Sequence, residues 1–87
     1  MTKITMFHLS GCPYCIQAKG WMDEICAETP EYKKIEVELV DEGVHRDIAA
    51  KYDYYLVPTY YVDSEKVHEG VATKEKVRKV YEKALEK

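Results

Sequence analysis

Two cysteines separated by two residues, in the stretch Cys12-Pro13-Tyr14-Cys15, have the spacing of a redox-active or metal-binding pair. An apolar run ending at Leu9 precedes them, and a helical pattern starts at Pro13, so Cys12 is predicted to lie where a strand ends and a helix begins. The first N–H groups of a helix have no partner inside the helix, and the helix dipole adds partial positive charge there. A thiol at that point loses its proton more easily than a free thiol, and the thiolate is the nucleophile in disulfide exchange.

The helical pattern predicts different surroundings for the two sulfurs. On a wheel of about 3.6 residues per turn, Cys15 shares one broad face with the large apolar residues of the helix. Cys12 comes before the first turn, so we expect an exposed Cys12 and a buried Cys15. This asymmetry suits dithiol exchange, in which the outer sulfur attacks a partner and the inner sulfur later resolves the mixed disulfide.

Length and composition restrict the class of protein. The 87 residues, of which 46% are hydrophobic, predict one domain over residues 1–87 with a single core. A net charge of -3 without a basic cluster argues against nucleic-acid binding. No apolar run approaches the about 18 residues of a membrane span, and the first residues lack the pattern of a signal peptide. Three cysteines, an odd number, argue against a secreted disulfide framework, so we expect a cytoplasmic protein.

Hydrophobic periodicity predicts four strands and three helices in the order β-α-β-α-β-β-α. The predicted strands are Lys3–Leu9, Tyr32–Val40, Thr59–Val62 and Lys66–Glu69, and the predicted helices are Pro13 to about Glu28, Val44 to about Lys51, and a last helix capped by Thr73. A strand–helix–strand crossover gives parallel pairing, and a tight turn near Asp63 gives antiparallel pairing. The sequence therefore predicts an α/β fold, a four-stranded mixed sheet with helices on both faces.

Three apolar stripes are predicted to face the core. Their members are Ile35, Val37 and Leu39 in the second strand, Val44, Ile48 and Tyr52 in the second helix, and Val77, Val80, Tyr81, Ala84 and Leu85 in the last helix. Cys26 lies on the buried face of the first helix, where we expect it to act as a small hydrophobic residue.

With this order of elements, the chain resembles the thioredoxin superfamily, and its glutaredoxin branch in particular, over nearly its whole length. The residues that carry the resemblance are Cys12-Pro13-Tyr14-Cys15, Lys19 four residues further on, and Val57-Pro58-Thr59 before the third strand. The segment Glu69–Lys74 is more similar to the matching segment of thioredoxin.

The resemblance implies a thioredoxin or glutaredoxin fold and a thiol–disulfide oxidoreductase. Cys12 would be the attacking thiolate and Cys15 the resolving thiol. The bond between Val57 and Pro58 would be cis, and the backbone before this proline would pair with bound substrate as a short strand. The implied substrate-binding residues are Tyr14, Val57, Pro58 and Thr59.

The expected partners follow from two departures from the glutaredoxin pattern. No lysine lies in His8–Gly11, and Glu69–Lys74 lacks the Gly-Gly pair and acid that hold the γ-glutamyl end of glutathione in glutaredoxins. We therefore expect protein disulfides or glutathione mixed disulfides as substrates. The expected electron donor is either a reductase of the thioredoxin-reductase type, which fits at least as well, or glutathione, which is also possible as co-substrate. The redox-active Cys12–Cys15 disulfide needs no added cofactor, and a monomer is expected.

Several residues near the motif have a second interpretation. His8 and Lys19 are candidates for tuning the thiolate, but a packed histidine and a solvated lysine are the alternatives. Tyr54 and Tyr55, before Val57, are candidates for substrate contact, but tyrosines also fill a core that has one Phe and one Trp.

The alternative function is a non-enzymatic binding module on the same fold, or a thiol carrier of a metal or Fe–S cluster. Tetrahedral zinc needs four ligands, and beyond Cys12 and Cys15 the chain offers Cys26 and three scattered histidines. No metal site is therefore predicted.

Overall fold

Four strands and three helices follow one another in the predicted order in a computed structural model that describes residues 2–86. The elements are β1 (Lys3–His8), α1 (Pro13–Glu28), β2 (Glu36–Asp41), α2 (Arg46–Ala49), β3 (Thr59–Val62), β4 (Glu65–Glu69) and α3 (Lys74–Glu86). Met1 and Lys87, the ends of the predicted single domain, lie outside the described residues.

The strands form one mixed sheet in the order β2-β1-β3-β4. Strand β1 pairs with β2 in parallel and with β3 antiparallel, and β3 and β4 form an antiparallel hairpin. The predicted α/β fold is therefore confirmed. Because β1 is central, its C-terminal end delivers the following loop to the middle of one edge of the sheet.

Apolar residues of β1 enter two cores, one on each face of the sheet. Ile4 and Met6 pack in the larger core together with residues of α1 and α3. Phe7 lies in a smaller core, against the rings of Tyr52 and Tyr54, each with its centroid 4.7 Å away. Burial of β1 on both faces fixes its position in the sheet, and with it the position of the loop that follows.

The start of the second strand differs from the prediction. Residues Pro30–Lys34, predicted in part as strand, form a short 3-10 helix, and β2 begins only at Glu36. This turn buries Tyr32 against Tyr81 of α3, with ring centroids 5.3 Å apart. An aromatic side chain inside the larger core therefore determines the backbone here, rather than strand propensity.

The ends of two other elements are also shorter than predicted. Strand β1 ends at His8, and Leu9 is exposed. Helix α2 begins at Arg46 and ends at Ala49, after which the N–H groups of Lys51 and Tyr52 bond three residues back, to Ile48 and Ala49. Such bonds tighten a helix end into 3-10 geometry, so the helix stops.

Three residues predicted to face the core are exposed instead. Leu39 lies in β2, which is an edge strand with a neighbour on one side only. Val44 precedes α2, because the helix starts two residues later than predicted. Leu85 lies in the last turn of α3, beyond the buried stripe that ends at Ala84.

Candidate active site at the end of the first strand

The loop after β1 places Cys12 at the start of α1. Gly11 adopts φ +83°, a left-handed conformation that glycine accepts without steric cost. The N–H of Cys12 then donates to the carbonyl of Leu9 at 3.1 Å, which closes the turn. Cys12 itself is the N-cap with an extended backbone, and Pro13 occupies the first helical position, where no N–H is needed.

The sulfur of Cys12 accepts the hydrogen bonds that a capping oxygen would otherwise accept. No side-chain oxygen caps α1. The backbone N–H of Cys15, and to a smaller extent its thiol and the N–H of Tyr14, donate to the Cys12 sulfur and lower the pKa of this thiol. Cys12 is half-buried rather than exposed as predicted, because its sulfur turns back over these N–H groups.

Cys15 has the opposite environment. It faces the interior of the protein with 1% of its surface exposed, as predicted. Burial raises the pKa of the Cys15 thiol to about 11, and a hydrogen bond from the backbone N–H of Leu9 offsets only part of this effect. The pair therefore combines one sulfur that ionises readily with one that stays protonated, although both are free thiols here.

The predicted proline segment lies at the same end of the sheet. The Val57–Pro58 bond is cis, as the resemblance implied. Thr59 pairs with Phe7, so Pro58 lies across from His8, next to the loop that carries Cys12. The carbonyl of Pro58 accepts the N–H of Gly70 at 2.9 Å, and the Thr59 hydroxyl donates to the carbonyl of Leu56. The segment is thus held by the backbone on both sides of the proline.

Glu69, which the sequence analysis did not single out, braces the loop before this proline. One carboxylate oxygen accepts the N–H groups of Tyr55 at 2.5 Å and Leu56 at 3.0 Å, and the other accepts from Lys66 at 2.8 Å. The Lys66 bond and these two N–H groups lower the pKa of Glu69 to about 2, so the brace is intact across the neutral pH range. An acid in the last position of a strand is too common in sequences to have signalled this role.

Exposed apolar side chains are available for contact with a partner around the loop. They are Tyr14 with 52% of its surface exposed, Ile16, Tyr55 with 90% exposed, Leu56 and Val71. Tyr54, the other predicted contact residue, is half-buried. Its ring stacks on Phe7, and its hydroxyl donates to Glu42 at 2.8 Å. Tyr55 rather than Tyr54 therefore presents an accessible ring.

His8 and Lys19 lie together, with Lys19 Nζ 3.2 Å from His8 Nδ1. Burial, and next the charge of Lys19, lower the pKa of His8, so its imidazole is neutral at pH 7 and accepts this hydrogen bond. The charge of Lys19 acts on Cys15, whereas the nearby charge that acts on Cys12 is that of Glu42. Of the two sulfurs, the inner one, Cys15, is therefore the one on which the charge of Lys19 acts.

Among residues 2–86, no three His, Cys, Asp or Glu side chains form a group that could hold a metal ion. Within the same residues, no helix has the length and apolar character needed to cross a bilayer.

Comparisons with known proteins agree with this geometry. A profile of the thioredoxin domain matches residues 2–82. A thioredoxin of Methanocaldococcus jannaschii is 30% identical over 83 residues, which cover 95% of each chain. Two solved structures share the fold. Oxidised thioredoxin from Plasmodium falciparum has a TM-score of 0.73 at 20% identity, over 94% of this chain and 79% of that one. Fasciola hepatica thioredoxin has a TM-score of 0.70 at 22% identity, over 95% of this chain and 80% of that one.

We predict that Cys12 is the first thiol of the reduced protein to be alkylated. Its lowered pKa leaves more thiolate at neutral pH, so its reaction with iodoacetamide should rise with pH and level off well below the pKa of about 11 of Cys15. Peptide mapping by mass spectrometry between pH 5 and 9 should show Cys12 modified about tenfold faster than Cys15 or more. Half-buried Cys26 is the internal comparison, and faster labelling of Cys15 or Cys26 would contradict the prediction.

We also predict that Glu69→Gln loosens the loop before Pro58. The amide lacks the charge that bonds Lys66 and strengthens the bonds from the N–H groups of Tyr55 and Leu56. Hydrogen exchange followed by NMR should become about tenfold faster at these two amides. Glu82→Gln, an exposed site on α3, is the matched control, and equal exchange in the two variants would show that Glu69 is not a brace.

Proposed function

The chain belongs to the thioredoxin family, and we propose that it is a thiol–disulfide oxidoreductase that reduces protein disulfides by a dithiol mechanism. The observation that supports this best is the difference between its two sulfurs. Cys12 is partly exposed and has a lowered pKa, whereas Cys15 is buried and has a raised pKa. Disulfide exchange needs a thiolate that attacks first and a second thiol that is shielded from other partners.

The first step uses the thiolate of Cys12. It attacks one sulfur of the substrate disulfide, a mixed disulfide forms, and the other substrate sulfur leaves as a thiolate. The N–H groups of Tyr14 and Cys15 that stabilise the Cys12 thiolate are preorganised by the helix, so they require no rearrangement.

The second step uses Cys15. Its thiol loses a proton and attacks the Cys12 sulfur, which forms the Cys12–Cys15 disulfide and releases the second substrate thiol. Two electrons have then passed from the protein to the substrate, and an external donor must reduce the new disulfide.

The loop before the cis proline would bind the substrate chain. Its backbone is held in place by Glu69 and by the Gly70 N–H, and Tyr14, Tyr55 and Leu56 expose apolar surface beside it. In this role Val57, Pro58 and Thr59 supply the backbone edge with which an extended peptide pairs. A fixed edge costs less conformational entropy on binding than a mobile loop would.

A reductase of the thioredoxin-reductase type fits as the electron donor better than glutathione. Glu69 already accepts three donors, so it is not free to bind the amino group of a γ-glutamyl moiety. At the start of α3, the Thr73 hydroxyl accepts the N–H of Lys76 at 3.1 Å and so occupies one N–H that a ligand carboxylate would use. Such a donor keeps the dithiol reduced in the cytoplasm, where we expect the protein.

We predict that Cys12→Ser abolishes disulfide reduction, whereas Cys15→Ser leaves a trapped mixed disulfide. The first variant lacks the nucleophile, and the second lacks the thiol that resolves the intermediate. Insulin reduction measures turnover, and mass spectrometry of the unreduced protein detects the adduct. Cys26→Ser is the matched control and should retain the activity of the wild-type protein. Normal turnover by Cys12→Ser would refute the mechanism. Absence of turnover by the wild-type protein would instead favour a non-enzymatic binding module.

A second prediction concerns the donor. NADPH with a thioredoxin reductase should support turnover. Glutathione with its reductase should support turnover at least about tenfold more slowly at equal enzyme concentration, because the site lacks free groups to hold the γ-glutamyl end of glutathione. The assay compares NADPH consumption with one protein disulfide as acceptor. Equal or faster turnover with glutathione would overturn this choice of donor without affecting the roles of Cys12 and Cys15.

A further inference from the structure

Burial of Cys15 makes the resolving step difficult. Cys15 has 1% of its surface exposed, and its pKa is raised to about 11, so almost none of it is thiolate at pH 7. Yet Cys15 must lose its proton before it attacks the Cys12 sulfur. A group that stabilises the Cys15 thiolate would therefore speed this step, because it raises the ionised fraction of Cys15 by more than it lowers the nucleophilicity of the sulfur.

The groups around Cys15 come from two elements, α1 and β3, and from the loop before α1. Lys19 lies four residues further along α1, on the same side of the helix. The N–H of Leu9 donates to the Cys15 sulfur, and Cys12 lies in the same loop. Tyr60 of β3 is the remaining interacting group, and its buried hydroxyl has no hydrogen-bond partner among the described residues.

Lys19 is held in place by His8. A lysine on a helix surface is ordinarily mobile, but Nζ of Lys19 is 3.2 Å from Nδ1 of His8, whose side chain is only 8% exposed. Because Nδ1 accepts, the neutral imidazole carries its proton on Nε2. His8 immediately precedes Leu9, so the residue that holds Lys19 is the chain neighbour of the residue whose N–H bonds the Cys15 sulfur.

The alternative explanation is that Lys19 serves Cys12. The hydrogen bonds that act on Cys12 come instead from the backbone of Cys15 and Tyr14 and from the Cys15 thiol, and the nearby charge is that of Glu42. Cys12 therefore has its own donors at the helix N-terminus. Cys15 has one backbone donor, from Leu9, and Lys19 is the cation that acts on it.

We propose that Lys19, oriented by His8, is the positioning residue that stabilises the Cys15 thiolate when the mixed disulfide is resolved. This inference rests on the proposed function. In the step, Cys15 releases its proton, its sulfur bonds Cys12, and the bond between Cys12 and the substrate breaks. The departing substrate thiolate takes up a proton, so charge and electrons balance without another reactant.

The experiment uses the fully reduced protein and 4,4′-dithiodipyridine, a neutral disulfide whose attraction to the protein does not depend on lysine charge. Attack by Cys12 releases one thiopyridone, and attack by Cys15 releases the second, so stopped-flow absorbance separates the two steps. We expect Lys19→Met to slow the second phase about fivefold to tenfold at pH 7 and leave the first unchanged. The apparent pKa of the second phase should rise, because the thiolate has lost a nearby cation.

Three further variants define the outcome. Lys79→Met, an exposed lysine on α3, should leave both phases unchanged, and Lys19→Arg should restore much of the second phase because it keeps the charge. His8→Gln should slow the second phase less than Lys19→Met, since it removes the support and not the charge. The pH profile of this variant also depends on the charges of Asp41 and Glu42, which face residue 8 from the end of β2.

The results separate failure of this inference from failure of the proposed function. If Lys19→Met equals Lys79→Met, or slows both phases equally, Lys19 has no specific role in resolution. If Cys12→Ser still shows both phases, the assignment of the attacking thiolate is wrong, and the proposed function fails. Thermal melts of all variants establish that each is folded. For the Lys19 variants this is expected because the side chain is only partly buried.

Discussion

The N–H groups in the first turn of α1 that lie beside the Cys12 sulfur are the feature on which the rest of this site depends. No side-chain oxygen satisfies them, and Pro13 removes one of them altogether. The sulfur of Cys12 accepts the hydrogen bonds from Cys15 and Tyr14, and the thiolate accepts them more strongly than the thiol does. The same hydrogen bonds therefore complete the helix end and lower the pKa of Cys12. A serine at this position would also cap the helix, but it would not supply a nucleophile of comparable reactivity.

This interaction requires that the helix start be fixed relative to the sheet, and β1 provides that. The strand is paired on both edges and buried on both faces, so its end cannot shift without disturbing two cores. The cis proline segment begins at Val57, which packs against the smaller core, and leads into β3, the antiparallel neighbour of β1. Cys12 and Pro58 are thus brought together by pairing between β1 and β3, although 45 residues of chain separate them.

The sequence predicts what depends on local pattern and misses what depends on distant neighbours. The order of elements, the buried side of α1 and the Thr73 cap follow from periodicity and residue type, and they agree with the structure. Exposure of Leu39 depends on β2 being at the edge, which one strand's pattern does not reveal. The brace by Glu69 joins residues 13 and 14 positions apart, and residue type alone gives no sign of it. The His8–Lys19 contact was not predicted either, because it joins the end of a strand to the second turn of a helix.

Burial of Cys15 has two opposed consequences, and their balance decides what the site needs. It keeps the second thiol from reacting with other partners while Cys12 is engaged, but it also disfavours the thiolate that must finish the reaction. A buried carboxylate beside Cys15 would be able to accept its proton, but while it stays ionised its negative charge raises the pKa of the Cys15 thiol further. A partly exposed cation near Cys15 does not have this unfavourable effect. It favours the thiolate while remaining partly hydrated, so the folded protein avoids the larger penalty of a fully buried charge. Lys19 meets this requirement because α1 places it one turn beyond Cys15 and His8 holds its end.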